Sequence, residues 1–315
     1  MVVIGGANLD VKARIAGPTV PATSNPGTAA TVSAGGVGRN IAHNLARLGI
    51  QTRLISVVGR DAEGTRLLAE TAKAGVDVRG VKRGSGPTGL YSAVLDRNGE
   101  LVIGVSAMAI LDELTPADLR QRAKTIDSAS FLVADCNLRP DCLQWLLARA
   151  KRLRIPILLE PVSVPKAAKL APQLKNGGRL HTLTPNLKQL EALAGAPVGG
   201  LKRLREAVLT LHDRGIDNIL VGLGPKGAAF SSRNGEATLF HRIPAAVQAA
   251  ADVTGGGDAL VTGYVAAVMR GTSPIGAAVF GQAAAGLAVA STSTVSARID
   301  PRGVMRAAAA LARRM

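Results

Sequence analysis

The chain has 315 residues, 47% hydrophobic residues and a net charge of +16. This composition excludes a disordered chain, and the apolar runs are broken by Gly, Arg or Lys before they reach membrane-spanning length, so we expect a soluble cytoplasmic protein with no membrane partner. The basic residues are dispersed and aromatic residues make up only 2%, which argues against a nucleic-acid partner and favours a diffuse basic surface.

Short runs rich in β-branched residues and leucine alternate along the chain with segments of helical period. The runs are VVIGGAN, TRLISVVG, FLVADCN, IPILLEP, RLHTLTPN and NILVGLG. Such alternation is typical of the α/β class, in which a central, mainly parallel sheet is flanked by helices on both faces. We therefore predict a single α/β domain over residues 1–315.

Helical spacing and stop signals define the predicted helices. The first lies in GGVGRNIAHNLARLG, where Ile41, Leu45 and Leu48 recur at helical spacing and Gly49 ends the run. Further helices are predicted at Thr65–Lys73, Pro116–Lys124, Asp141–Arg152, Leu201–Asp213, Pro274–Ala290 and Pro301–Arg313.

One region breaks the alternation. TGLYSAVLDRNGELVIGV, from Thr88 to Val105, reads as two strands joined at Asn98-Gly99, a strong hairpin signal. Together with an extended segment near the N-terminus, it predicts a small sheet built from about 11–32 and 86–110. Such a sheet would act as a lid over the carboxyl ends of the parallel strands. A hairpin without a role in function is the alternative.

The late run DVTGGGDAL places three consecutive glycines against an aspartate at a predicted helix start. Gly255, Gly256 and Gly257 lack Cβ atoms, so their N–H groups can turn toward a phosphate, and the helix dipole adds to that attraction. Asp258 would lie beside this anion site as a base that accepts a proton from a hydroxyl. Its alternative role is that of a helix N-cap.

Five motifs, spread over nearly the whole chain, resemble those of the ribokinase-like (PfkB) family of sugar and nucleoside kinases. They are GGANLD, GGVGRN, VVGRDAEG, TPNLKQLE and DVTGGGD. SNPG, VADCN and EPVS look like the pseudouridine kinase branch. The resemblance implies ATP-dependent phosphorylation of the 5′-hydroxyl of pseudouridine or a related nucleoside. It further implies ATP and Mg²⁺ as cofactors, K⁺ as a candidate third, and a homodimer joined through the lid sheets.

The resemblance also assigns roles to residues. Asp258 corresponds to the catalytic base, the three glycines before it to the phosphoryl site, and Asp10 to the carboxylate that binds the sugar hydroxyls. The remaining substrate candidates are Asn8, Gly35, Gly36 and Asn40 for the sugar, with Asn25 and Asn137 for the base, and the nucleotide candidates are Asn186, Gly224 and Gly227.

The chain departs from the family pattern in three places. Gln189 stands where the family has a glutamate that orders magnesium-bound water, and an uncharged amide would do so less strongly. Gly256 stands where the family usually has alanine, and the segment Ser106–Met108 lacks the polar residues of the pseudouridine branch. Asp252 either helps to hold a monovalent cation or fixes the turn, and both roles stay open.

Two other functions remain compatible with these motifs. The same chemistry can act on another ribonucleoside or on a free sugar, which the weakened polar lid allows. A non-catalytic nucleoside-binding protein on the same fold is the second alternative, since Gln189 lacks the charge of the family's glutamate.

Overall fold

The computed structural model describes residues 1–175, 180–247, 252–291 and 295–315. Arg179, in the predicted strand RLHTLTPN, lies outside them. The strands are β1 (Val2–Ile4), β2 (Asn8–Ile15), β3 (Gly27–Gly35), β4 (Arg53–Ile55), β5 (Val57–Val58), β6 (Lys82–Arg83), β7 (Gly89–Leu95), β8 (Leu101–Ala107), β9 (Leu132–Asp135), β10 (Ile157–Glu160), β11 (Leu180–Leu183), β12 (Ile216–Gly222), β13 (Ala228–Asn234) and β14 (Ala237–Ile243). The α-helices are α1 (Val37–Arg47), α2 (Ala62–Lys73), α3 (Pro116–Gln121), α4 (Ala123–Asp127), α5 (Pro140–Leu153), α6 (Val164–Lys175), α7 (Leu187–Ala194), α8 (Gly200–Asp213), α9 (Gly256–Met269), α10 (Pro274–Val289) and α11 (Pro301–Ala312).

An eight-stranded sheet forms the centre, in the order β14-β13-β12-β11-β10-β9-β1-β4. The strands from β12 to β4 pair in parallel, and β13 and β14 add an antiparallel edge. Val2 and Ile4 pack into one apolar cluster, while Val3 between them packs into the other. This alternation buries both faces of the sheet, as the apolar runs in the sequence predict.

Each face of the sheet carries a layer of helices. One apolar cluster includes Leu119, Leu146 and Leu204, from α3, α5 and α8. The other includes Ile41 of α1 and Val261 of α9. Within the described residues, no helix combines the length and the apolar character needed to cross a membrane.

Most predicted helices are present to within a few residues, one is split, and the structure adds α6 and α7 to those predicted. The helix predicted at 116–124 is split into α3 and α4 at Arg122, whose φ of −98° and ψ of 10° leave the helical region. Helix α6 was not predicted, because Pro172 inside it reads as a helix breaker in the sequence.

The predicted hairpin forms part of a separate four-stranded sheet, in the order β3-β2-β7-β8. Gly99 adopts a φ of +86° at its turn, a conformation that suits glycine. The sheet strands extend further toward the centre than predicted, since β2 begins at Asn8 and β3 ends at Gly35. The small sheet therefore continues directly from the carboxyl end of β1.

Candidate active site

The carboxyl ends of the central parallel strands meet the start of α9 and the root of the small sheet. Strand β9 ends at Asp135 and β10 ends at Glu160, while β1 leads through Gly5 and Gly6 into β2. In open α/β sheets ligands bind at this edge, because loops there surround a crevice that no strand fills.

Asp258 lies in the first turn of α9, a helix that begins directly after Gly255, whose φ is +78°. Its carboxylate is buried, and Oδ2 accepts a hydrogen bond of 2.9 Å from Asn40 Nδ2. Burial raises the pKa of Asp258 to about 7, with the charges of Asp135 and Asp10 acting in the same direction and Asn40 opposing them. A carboxylate with this pKa is suited to accept a proton near neutral pH.

Asn40 is held in one orientation by Arg39, a residue that the sequence analysis missed. Arg39 Nη1 donates to Asn40 Oδ1 at 2.9 Å, which leaves the amide nitrogen to donate to Asp258. The guanidinium is buried, and burial lowers its pKa to about 10. Arg39 thus positions the amide that holds Asp258.

The candidate sugar residues lie together at the root of the small sheet. Asp10 is buried and accepts a 2.8 Å hydrogen bond from Asn8 Nδ2. A Cβ atom at Gly35 would lie 2.4 Å from the Asp10 carboxyl, and one at Gly36, where φ is +94°, would lie 2.5 Å from the carbonyl oxygen of Gly6. Glycine is therefore required where β3 passes Asp10 and turns into α1.

Asp135 joins three backbone segments at this edge of the sheet. Its Oδ2 accepts hydrogen bonds of 2.8 Å from the backbone N–H groups of Gly6 and Gly38, and its Oδ1 accepts one of 2.9 Å from that of Asn137. The carboxylate is fully buried, and burial raises its pKa. Its signal in the sequence is an acidic residue that ends an apolar strand run.

A second buried carboxylate, Glu160, ends the neighbouring strand. Its Oε2 accepts a hydrogen bond of 2.7 Å from the N–H of Val162, a residue with a φ of +67°. Burial raises the pKa of Glu160 well above its usual value, and the charges of Asp258 and Asp135 add to the effect. It was missed for the same reason as Asp135: the sequence shows a strand-end carboxylate but not its burial.

The two candidate base readers occupy different places. Asn137 follows β9 at the strand edge, where its Oδ1 accepts a hydrogen bond from Lys166. Asn25 lies in the loop between β2 and β3, and its amide bonds to the backbone of Val20 and Thr23. Asn137 therefore lies at the strand edge beside Asp135, whereas the amide of Asn25 is bonded within its own loop.

A cleft with a volume of ≈ 510 Å³ lies beside the start of α9. Its described lining includes Asn186, Gly224, Gly227, Gly256 and Gly257, with apolar walls that include Leu260, Ala285 and Val289. A Cβ atom at Gly227, where φ is +88°, would lie 2.1 Å from the carbonyl oxygen of Ile243. All three candidate nucleotide residues thus share one cleft with two of the glycines of the predicted phosphoryl site.

Gln189 and Asn186 form a reciprocal cap on α7. Gln189 Oε1 accepts from the Asn186 N–H at 2.8 Å, and Asn186 Oδ1 accepts from the Gln189 N–H at 2.9 Å. None of the described residues that line the cleft has a carboxylate side chain. A magnesium ion here would therefore depend on phosphate oxygens and water for its ligands.

Asp252 fixes the turn that opens the glycine run. Its Oδ1 accepts a 2.8 Å hydrogen bond from the Thr254 N–H, and its Oδ2 forms an ion pair of 2.8 Å with Lys12 of β2. Of the two roles left open by the sequence, the structure displays this turn contact; a role in cation binding stays a prediction.

Comparison with known proteins gives consistent matches over most of the chain. Residues 1–300 match the pfkB family of carbohydrate kinases. The chain is 36% identical over 293 residues to an uncharacterised sugar kinase, YeiI, of Escherichia coli, covering 93% of this chain and 78% of the relative. It is 34% identical over 272 residues to the pseudouridine kinase of the same organism, covering 86% and 84%.

Solved structures share the fold. A carbohydrate kinase from Agrobacterium tumefaciens superposes with a TM-score of 0.81 at 31% identity, over 98% of this chain and 97% of the other. Ribokinase of Arabidopsis thaliana, complexed with ribose and ATP, superposes with a TM-score of 0.79 at 25% identity, over 98% and 97%. The predicted ribokinase-like fold, a mainly parallel sheet flanked by helices with a separate small sheet, is confirmed.

Proposed function

Since the chain belongs to the pfkB family of carbohydrate kinases, we propose that it transfers the γ-phosphoryl group of ATP to the 5′-hydroxyl of pseudouridine, giving pseudouridine 5′-phosphate and ADP. One observation carries the proposal. Asp258 is a buried carboxylate with a pKa of about 7, close enough to the sugar candidate Asp10 for its charge to raise that pKa, and it directly follows Gly256 and Gly257 of the cleft.

In this mechanism Asp10 and Asn8 bind the ribose hydroxyls and direct the 5′-hydroxyl toward Asp258. Asp258 accepts the hydroxyl proton while the oxygen forms a bond to the γ-phosphorus, and the bond to the bridging oxygen of ADP breaks. Backbone N–H groups of Gly255–Gly257 stabilise the charge on the phosphoryl oxygens in transit. Positioning and charge neutralisation supply most of the rate enhancement.

ATP fits the cleft beside the glycine run, with Asn186, Gly224 and Gly227 along its wall. Mg²⁺ supplies neutralisation of phosphate charge when it is bound. Gln189 adds no charge to its surroundings, so we expect the ion to be held weakly by the protein and to arrive with the nucleotide.

Pseudouridine as the acceptor is supported by the motifs SNPG, VADCN and EPVS and by the likeness to a pseudouridine kinase. Asn137 offers an amide group at the strand edge beside Asp135 for the uracil ring. Met108 belongs to the departing lid segment, and a Cβ atom at Gly89 would lie 2.9 Å from its sulfur and 3.2 Å from Asn8 Cβ. Met108 therefore packs beside a sugar candidate and against the hydrophobic core, and it adds no polar contact for the ring.

A free sugar or another ribonucleoside is the second candidate, favoured by the apolar Ala107 and Met108 in place of polar lid residues. A panel of acceptors that includes pseudouridine, uridine, adenosine and ribose, assayed with labelled ATP, separates the candidates. We expect kcat/KM to be highest for pseudouridine. Comparable turnover of ribose or adenosine would defeat the narrower assignment.

Replacement of Asp258 tests the chemistry itself. We expect Asp258→Asn to lower kcat by about 10²–10⁴-fold, because the variant cannot accept the proton, while nucleotide binding persists. Acceptor-dependent ADP release measures the change. An unchanged rate excludes Asp258 as the base, and no acceptor-dependent release by the parent protein favours the non-catalytic binding function.

A further inference from the structure

Lys12 lies on strand β2, on the same face as Asn8 and Asp10, because alternate residues of a strand share a face. Its ammonium nevertheless contacts the opposite half of the site. Nζ donates to Asp252 Oδ2 at 2.8 Å and to Thr254 Oγ1 at 3.0 Å. One strand of the small sheet thus bears both the sugar candidate Asp10 and a cation attached to the residues that open the glycine run.

Lys12 brings a positive charge to the start of the glycine run, beside the nucleotide cleft. No described residue lining the nucleotide cleft is a lysine or an arginine. Arg39, whose charge acts on Asp258, is engaged with Asn40, the carbonyl of Ala34 and Thr71. The Lys12 and Asp252 side chains are only 16% and 26% exposed, so their ion pair is partly shielded from solvent.

The donor geometry of an ammonium group allows a further contact. A lysine has three N–H donors, and its contacts with Asp252 and Thr254 within the described chain use two of them. Gly255 follows Thr254 directly, so the contact with Thr254 fixes the ammonium at the start of the glycine run, of which Gly256 and Gly257 line the cleft. The third N–H donor is left for a further acceptor, such as an oxygen of a phosphoryl group bound beside the glycine run.

We propose that Lys12 is a phosphoryl-contacting residue, whose ammonium binds the γ-phosphoryl oxygens of ATP while Asp252 and Thr254 hold it in place. The inference rests on the proposed kinase function but not on the identity of the acceptor. Because Lys12 and Asp10 share strand β2, the same strand orients the acceptor hydroxyl and neutralises the donor phosphoryl. The small sheet then contributes to catalysis and not only to covering the site.

The test compares nucleotides with and without a γ-phosphoryl group. Calorimetry with Mg²⁺ measures the Kd of ADP and of the non-hydrolysable analogue AMP-PNP, without any acceptor. We expect Lys12→Met to weaken AMP-PNP about tenfold or more while ADP changes less than about twofold, with Lys12→Arg recovering part of the loss. Lys73→Met on the exposed face of α2 is the matched control and should change neither affinity.

Other outcomes overturn the inference. Equal weakening of both nucleotides, or no weakening of either, would make Lys12 a structural tie between the small sheet and the loop. In that case Asp252→Asn should lose as much as Lys12→Met, whereas a phosphoryl contact predicts a larger loss for Lys12→Met. Thermal unfolding of each variant separates these losses from misfolding.

The same experiment distinguishes this inference from the proposed function. Binding of AMP-PNP requires no acceptor, so a Lys12-dependent preference for AMP-PNP can appear in a protein that phosphorylates nothing in the panel. Such a result would contradict the proposed function and support the phosphoryl contact of Lys12. If acceptor turnover is lost in Asp258→Asn but unchanged in Lys12→Met, the proposed function stands and the phosphoryl contact of Lys12 is excluded.

Discussion

Buried carboxylates concentrate at one edge of the sheet, and their burial governs their chemistry. Asp258, Asp135 and Glu160 each have a raised pKa, mainly because burial disfavours the charged form, and nearby carboxylates raise the pKa of Asp258 and Glu160 further. Backbone N–H groups hold Asp135 and Glu160 at the ends of their strands, whereas the Asn40 side chain holds Asp258. Of these three carboxylates, Asp258 is the one held by a side chain among the described residues, and an incoming hydroxyl can replace that partner.

The pH dependence of turnover follows from the raised pKa of Asp258. The base acts only when it is deprotonated, so kcat/KM should rise about tenfold per pH unit below about 7 and level off above it. Initial rates between pH 5 and 9 with saturating MgATP measure the profile. A rate that is flat down to pH 5 would contradict the assignment of Asp258 as the base.

The same shift has a consequence for stability. The folded-state pKa of Asp258 lies above its unfolded value of 3.8, so the folded protein binds the proton more tightly and loses stability as pH rises from about 4 to about 7. Asp258→Asn removes this loss. We expect the variant to unfold at a higher temperature than the parent at pH 8, with a smaller difference at pH 4. An equal difference at both values would mean that the carboxylate is not strained by burial.

Substitution of Gly257 can test the phosphoryl site without disturbing the fold. A Cβ atom there meets nothing within 4 Å and φ is not positive, so Gly257→Ala should keep or raise the unfolding temperature. It should lower turnover at least about tenfold, because the methyl group enters the cleft where the phosphoryl group passes. Gly199→Ala, also in open space but at the start of α8, is the control and should leave turnover unchanged. Full activity of Gly257→Ala would remove this glycine from the phosphoryl site.

At the scale of elements, the packing of α9 against α10 explains a departure from the family pattern. A Cβ atom at Gly256 would lie 2.9 Å from Val289 Cγ1, so alanine, the usual family residue, meets a side chain near the end of α10. We expect Gly256→Ala to destabilise the protein by about 1–2 kcal/mol. In a Val289→Ala background the substitution should become neutral, and denaturant unfolding of the four proteins measures this coupling. Independent effects of the two substitutions would mean that the helices adjust without strain.

The elements also show what the sequence can and cannot predict. The run GGVGRNIAHNLARLG predicted α1, because its apolar spacing and Gly49 are local signals. Pro172 concealed α6, and the break at Arg122 has no local signal. Contacts across the chain stayed hidden for a different reason: Lys12 and Asp252 are 240 residues apart, and only the folded chain brings them together.

At the scale of the whole molecule, the small sheet presents an apolar surface that the monomer does not cover. Strand β8 is an edge strand and is exposed along its whole length. Leu101, Ile103 and Val105 lie on one face of it and are 57%, 56% and 55% exposed. Exposed apolar edges favour pairing with another chain. We therefore propose that the protein forms a homodimer through its small sheets, as the family resemblance implies.

A charge on that surface tests the assembly. We expect the parent protein to sediment as a dimer at micromolar concentration and Ile103→Asp to sediment as a monomer, because a carboxylate would have to be buried without a partner. Met305→Asp places the same charge on another exposed apolar residue, in α11, and should leave the dimer intact. If Lys12 contacts the phosphoryl group, a dimer that steadies β2 should also assist catalysis, so Ile103→Asp should lower kcat without preventing folding. A monomeric parent protein, or a dimer that survives Ile103→Asp, would contradict this interface.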